Sequence, residues 1–182
     1  MSLLKRCWQD VGFGWMAHAL ARFALCAAIG AVAAPVTDEV RVGGSVKTAL
    51  SLKLDDLKAF PADQIGSVTV TRRVDDKDTA STVRGVRLTA VLERAGLASS
   101  GPNDWKHTVV LATASDGYRV AFSWPELFNT EVGAGVLVAF ERDGLPLADR
   151  EGPIALVSGR DLRGGPRSVR WLARLDVRVL RE

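Results

Sequence analysis

The sequence predicts an α+β domain of mixed, mostly antiparallel sheets with short helices. Three observations carry that expectation: short β-forming runs closed by Asp-Gly turns, only two stretches with helical apolar spacing, and no internal repeat or regular strand–helix alternation. The 182 residues, 47% hydrophobic, suffice for one domain with a substantial core.

Residues 1–33 read as an export signal. Lys5 and Arg6 open a basic region, and Arg22 is the last charge before the apolar run from Phe23 to Gly30. Ala31-Val32-Ala33 then supplies the small-x-small pattern of a signal peptidase site. That apolar core is short against the roughly 20 residues of a membrane span, although an uncleaved anchor stays open as the alternative. The expected product is a periplasmic domain over residues 34–182.

Cys7 and Cys26 both fall in the leader, as does His18, so residues 34–182 hold no thiol and only His107. A disulfide framework, a zinc site and a histidine-based catalytic triad therefore lack their parts. The formal charge of +3 includes a net two from Lys5, Arg6 and Arg22 against Asp10. The remainder is close to neutral, which excludes the basic footprint of a nucleic-acid binder. From Arg142 onward every basic residue is arginine, the side chain suited to planar, bidentate anion contacts, although a GC-rich coding sequence yields the same bias.

Val40-Arg41-Val42 alternates as a strand, Gly43-Gly44 breaks it, and Leu50 and Leu52 resume the alternation. Leu54 to Phe60 has apolar spacing of three, with Asp55 and Asp56 early, and reads as a short helix stopped by Pro61. Val68-Thr69-Val70-Thr71 is strongly β-forming. Arg72 to Arg84 is polar and reads as an exposed loop or hairpin tip. Its Asp75-Asp76-Lys77-Asp78 cluster lacks the ligand spacing and glycine of a calcium loop.

Gly85 to Gly96 places Leu88, Val91, Leu92 and Ala95 on one helical stripe, with Gly96 as C-cap. After a Ser99–Pro102 linker, His107 to Ala112 reads as a buried strand, and Ser115-Asp116-Gly117-Tyr118 turns into Arg119–Phe122. Tyr118 is expected as the packing aromatic of that hairpin, and His107 has no visible catalytic partner. Trp124-Pro125-Glu126-Leu127 resembles one helical turn. Val136–Phe140 is a second buried strand, followed by the Arg142–Pro146 turn. Trp105, Trp124 and Trp171 are expected as core or rim packing.

The last stretch is the candidate site. Ile154–Val157 leads into the glycine-rich basic loop Gly159 to Leu172, and Leu175–Val179 leads out. Free backbone N–H groups and several guanidinium forks in one loop suit a bound anion. The alternative is that Arg167 and Arg170 are solvated loop charges and Trp171 a core plug.

The order of these pieces resembles the molybdopterin-binding domain of the sulfite oxidase family. Asp116-Gly117-Tyr118, Asp143-Gly144-x-Pro146-Leu147 and Gly152-Pro153 follow one another as in that family. Gly165-Pro166-Arg167-Ser168-Val169-Arg170-Trp171-Leu172 is similar to its glycine-x-arginine-x-valine-lysine-tryptophan-leucine signature, and Gly85 to Gly96 to its leucine-rich helix. The resemblance covers about residues 38–180 and implies a sulfite oxidase-type fold around a molybdenum–pterin cofactor. It implies pterin or phosphate contacts from Arg167, Ser168 and Arg170, with Arg163 and Arg160 in the same loop.

This chain departs from that pattern at three places. The family's metal-ligating cysteine belongs near the end of the Val68–Val74 strand, where this sequence has Arg72-Arg73-Val74. Its histidine before the glycine is Glu151 here, and its arginine two residues after the proline is Ala155. A molybdenum centre draws on a soft anionic sulfur that is absent. The expectation is an exported ligand-binding, sensing or interaction module with no catalytic residue and no metal ligand to name. Its partners would be a small anionic ligand or pterin, and a periplasmic or membrane protein. The competing expectation is a molybdenum-cofactor-dependent oxidoreductase.

Overall fold

A computed structural model describes residues 38–74 and 77–181; the export signal read at 1–33 lies outside the described residues. Two five-stranded sheets face each other across one core. Strands β1 (Glu39–Gly44), β2 (Leu50–Lys53), β5 (Thr108–Ala114), β6 (Arg119–Ser123) and β10 (Leu172–Val179) form the first, ordered β2-β1-β10-β5-β6. Only β1 and β10 run parallel, pairing Val42 with Leu175 and Gly44 with Val177. Strands β3 (Ile65–Val74), β4 (Lys77–Arg87), β7 (Val136–Arg142) and β8 (Leu145–Pro146) form the second, with β9 (Ala155–Ser158) also on β7. All pairings in this second sheet are antiparallel, so the α+β class of mixed, mostly antiparallel sheets holds.

The first sheet closes on the core because its strands alternate, whereas β7 and β9 of the second are buried on both faces. β5 buries Val110, Ala112 and Ala114, and β10 buries Leu175 and Val177 on the same face, while Asp176 between them is covered on the opposite face by Arg174 and Arg178. Val86, Val138, Phe140 and Leu156 of the second sheet enter the same core. Helix α2 (Leu88–Ala95) lies within it, burying Leu88, Val91, Leu92 and Ala95 on the predicted stripe and Ala90 beside it. Gly96 ends α2 at φ +67°, with its N–H on the Leu92 carbonyl. A second, smaller cluster of Val83, Ala139, Leu147, Ala155 and Val157 occupies the other face of the second sheet.

Several expectations shift. The polar stretch 72–84 is mostly strand: β3 and β4 pair from Ile65–Val86 out to Val74–Lys77, and only 75–76 at the tip are undescribed. A ribbon projecting into solvent is polar because water, rather than core, receives its side chains. The helix begins at Leu88, since Gly85–Arg87 complete β4. Gly85 is needed there: a Cβ would lie 2.6 Å from the Ala139 Cα, at the bulge between Arg84 and Gly85. The first helix, α1, spans only Leu54–Lys58. His107 closes a single 3-10 turn before β5 instead of opening the strand. Helix α3 (Trp124–Asn129) is capped by Ser123 Oγ, which accepts the Glu126 N–H at 3.1 Å, and is followed by α4 (Glu131–Ala134). Among the described residues no helix is long and apolar enough to cross a membrane.

Candidate functional site

A cavity of about 490 Å³ opens beside the second sheet, between the β3–β4 ribbon, the end of β7 and the loop after β9. Its floor is apolar, with Val70, Ala155 and Val157 from the smaller cluster. Its rim carries four guanidinium groups, Arg72, Arg142, Arg150 and Arg170, and two carboxylates, Asp143 and Glu151.

Both carboxylates are engaged. Arg142 grips Glu151 with two parallel bonds, Nε to Oε2 at 3.0 Å and Nη2 to Oε1 at 2.7 Å, and donates Nη1 to Ser81 Oγ at 2.6 Å. Glu151 is 4% exposed, and this fork supplies the counter-charge for its buried carboxylate. Asp143 takes a left-handed φ of +51° in the turn from β7 to β8, and its Oδ1 accepts the Thr82 N–H at 2.7 Å. Among the described residues Arg150 and Arg170 make no hydrogen bond or ion pair. They leave the rim net positive.

The loop from Gly159 to Leu172 is held from several sides. Leu156 and Val169 exchange two backbone bonds of 2.8 Å. The Trp171 N–H reaches the Glu151 carbonyl at 2.8 Å, and the Tyr118 hydroxyl donates to the Pro166 carbonyl at 2.6 Å. Tyr118 thus ties the β5–β6 hairpin to the loop and is exposed, which corrects its expected packing role. Trp171 adopts φ +52° and lies against Gly152, where a Cβ would come 2.7 Å from its ring. This left-handed residue reverses the chain so that Val169 and Leu172 enter the core while Arg170 stays at the cavity rim. Trp171 is therefore half-buried, the rim-packing placement of the two expected for it.

The five loop residues singled out by sequence separate into two groups. Ser168 and Arg170 line the cavity, together with Gly164 and Gly165. Arg167 does not: it points to the other side of the loop, bonding Asp161 Oδ2 at 3.0 Å and Glu126 Oε1 at 2.7 Å, with its guanidinium 4.7 Å above the Phe122 ring. Its charge is locked on chiefly by Asp161 and then by Glu126, against the opposing effect of burial, and its pKa rises further above the ordinary arginine value. Burial works against charge on Asp161 too. The Arg167 guanidinium and then the Ser158 hydroxyl outweigh it and hold that carboxyl below the ordinary carboxylate range. Arg160 pairs with Glu131 outside the cavity, and Arg163 is an exposed loop residue. Arg167, Arg160 and Arg163 are thus placed away from any ligand in this cavity. Sequence spacing could not separate them from Arg170 because a loop has no fixed periodicity.

Ser158 borders the cavity at the end of β9, and its Oγ is buried without a hydrogen-bond partner. Pairing with Val136 sets it on the core-facing side of the strand, beside Asp161. Its hydroxyl lies near the Asp161 carboxylate and favours its charge, but stands outside hydrogen-bonding geometry.

The three departures noted in the sequence converge here: Arg72, Glu151 and Ala155 all line this one cavity with Ser168 and Arg170. The donor set tests the implied cofactor directly. No cysteine or histidine lines the cavity, its carboxylates are committed to Arg142 and to a backbone N–H, and no described cluster of histidine, cysteine, aspartate and glutamate could hold a metal ion. A thiolate-held molybdenum does not fit these residues; an anion does. Arg72, Arg142 and Arg150 were missed as a set, because they come together only when β3, the end of β7 and the turn after β8 meet in the fold.

Comparison with known proteins agrees with this fold. The crystal structure of the sulfane dehydrogenase SoxCD from Paracoccus pantotrophus matches with a TM-score of 0.60 at 19% identity. The match covers 76% of this chain and 37% of that one, and at this identity the likeness is one of fold. A search of curated proteins finds no match. The family model for the oxidoreductase molybdopterin binding domain matches residues 30–180, and the chain belongs to that family.

Proposed function

We propose that this chain is an exported, non-catalytic ligand-binding member of its family, serving a periplasmic or membrane protein partner, rather than an oxidoreductase. One observation carries the reading: the strand end where a metal-holding thiolate is expected reads Arg72-Arg73-Val74, and the cavity that Arg72 lines offers guanidinium and hydroxyl donors instead of a soft anionic ligand. No thiolate stands at that strand end to attract a metal cation, and the Arg72 guanidinium beside the cavity repels one. Fold alone does not restore the activity. The leader's basic, apolar and small-residue pattern supports export.

The competing reading, molybdopterin-dependent oxidation with altered ligation, draws its support from the family match. One experiment separates them. The full chain is expressed with its leader in a molybdate-supplemented bacterial host, recovered from the periplasmic fraction, and analysed for bound molybdenum and released pterin fluorescence. Recovery from the periplasm with neither metal nor an oxidoreductase activity is expected. Stoichiometric molybdenum would overturn the non-catalytic reading, and retention in the cytoplasm would overturn export.

A further inference from the structure

We propose that the outer edge of β3 is a self-association surface, on which a second copy of this chain adds its own β3 antiparallel, Thr69 against Thr69 at the two-fold axis. The pairing is independent of what the cavity holds.

An edge strand presents a row of unpaired N–H and C=O groups, and folded domains blunt such edges by brevity, charge, proline or cover. The other edges here are blunted. β2 has four residues and ends at Lys53, and β6 has five and opens with Arg119. β8 has two and ends at Pro146. β9 is covered by the loop after it, through the bridge between Leu156 and Val169. β3 has none of these devices. It runs for ten residues, pairs only with β4 among the described residues, and keeps an unbroken register against it. From Ile65 to Thr71 it carries no charge and no proline. The loop after β9 meets β3 at the Val68 side chain and near the Thr71 carbonyl, but makes no hydrogen bond to that backbone.

The sequence of this run selects a copy of itself as the occupant. With Thr69 on the axis, Ser67 stands opposite Thr71 of the second copy, Val68 opposite Val70, and Gly66 opposite Arg72. Hydroxyl side chains then face each other on one side of the sheet and valines on the other, pairs that stabilise antiparallel strands. Val68 and Val70 are only partly buried against the smaller core cluster, so the pairing covers apolar surface that one copy leaves open. The two Arg72 side chains oppose glycine instead of each other, and along the strands they lie about 20 Å apart, where salt screens their repulsion. An isologous contact of this kind closes at two copies. One strand's width is at the small end of protein interfaces, so the dimer is weak and concentration-dependent.

Sedimentation equilibrium of the purified full chain, from about 10 μM to about 1 mM, covers the affinities of such small interfaces. A monomer–dimer equilibrium is expected. Thr69 is exposed, so a charge can be placed there without entering the core. Thr69→Lys and Thr69→Glu each set like charges directly opposite and should weaken association about fivefold or more. An equimolar mixture of the two puts opposite charges across the axis and should associate more tightly than either variant alone. Ala121→Lys, on the exposed face of β6 in the other sheet, should leave association unchanged. Thermal melts establish that the three variants are folded. A parent that stays monomeric up to about 1 mM overturns the proposal and leaves the edge to an extended segment of a different protein. Thr69 variants that associate as the parent does overturn it too, because the contact then lies elsewhere. A mixture no tighter than its components removes Thr69 from the axis and overturns the pairing.

Discussion

Arg167 shows how a single side chain can be read correctly as important and wrongly as a ligand contact. The Gly-Pro-Arg-Ser pattern draws attention to it, yet its fork is filled by Asp161 and Glu126 and its face by Phe122. It fastens the site loop to α3. Arg167→Ala leaves Asp161, whose side chain is only 10% exposed, without its counter-ion. We expect a loss of about 2 kcal/mol, between the values for exposed and fully buried pairs. The pH dependence follows from the lowered folded-state pKa of Asp161. Its contribution is present above the unfolded carboxylate pKa of about 4 and is lost as pH falls through the folded value. Urea unfolding at pH 7 and pH 3 should therefore show a smaller acid-induced loss of stability in the variant than in the parent. Equal losses would mean that Arg167 does not stabilise the Asp161 carboxylate.

At the scale of elements, the close approach of β4 to β7 depends on a missing side chain. In Gly85→Ala the new methyl meets the Val138 carbonyl and the Ala139 Cα, both backbone atoms that yield only by moving the strands apart. A cost of about 1–3 kcal/mol is expected, as for other overpacked sites. Gly43→Ala in β1 is the matched control, because its Cβ would meet nothing within 4 Å. It should be neutral or stabilising by up to about 1 kcal/mol through the less flexible unfolded chain. Denaturant midpoints of the two variants decide; similar values would show that β4 and β7 are not tightly docked. These strands also mark what was legible in the sequence. The α2 stripe and the buried β5 and β7 runs were visible because a core imposes period on apolar residues. The outer half of the β3–β4 ribbon was not, since a strand wet on both faces carries no such period and looks like a loop. Ser168 and Arg170 were legible from the signature around them, whereas Arg142 and Arg150 acquire their role only when the Glu151 turn folds back beside β9.

For the whole described domain, the decisive fact is that one core is shared. Val40, Val110 and Leu175 of the first sheet pack in the same cluster as Val86, Val138 and Leu156 of the second, with α2 inside it. Neither sheet can keep an apolar face dry without the other. The parallel β1–β10 pair strengthens the coupling, because it joins the start of the described chain to its end and cannot form until everything between them is placed. Equilibrium unfolding of residues 38–181 should therefore be a single cooperative transition, as small single-core domains show. Two probes report on different parts. Far-UV circular dichroism follows both sheets, while tryptophan fluorescence follows Trp105 in the turn before β5, Trp124 stacked on Phe128 and Trp171 lodged against Gly152. Their denaturation curves should coincide in midpoint and slope. A fluorescence transition preceding the loss of strand signal would mean that the loop around Trp171, and the cavity rim with it, opens independently of the sandwich. The site would then be assembled on demand instead of preformed.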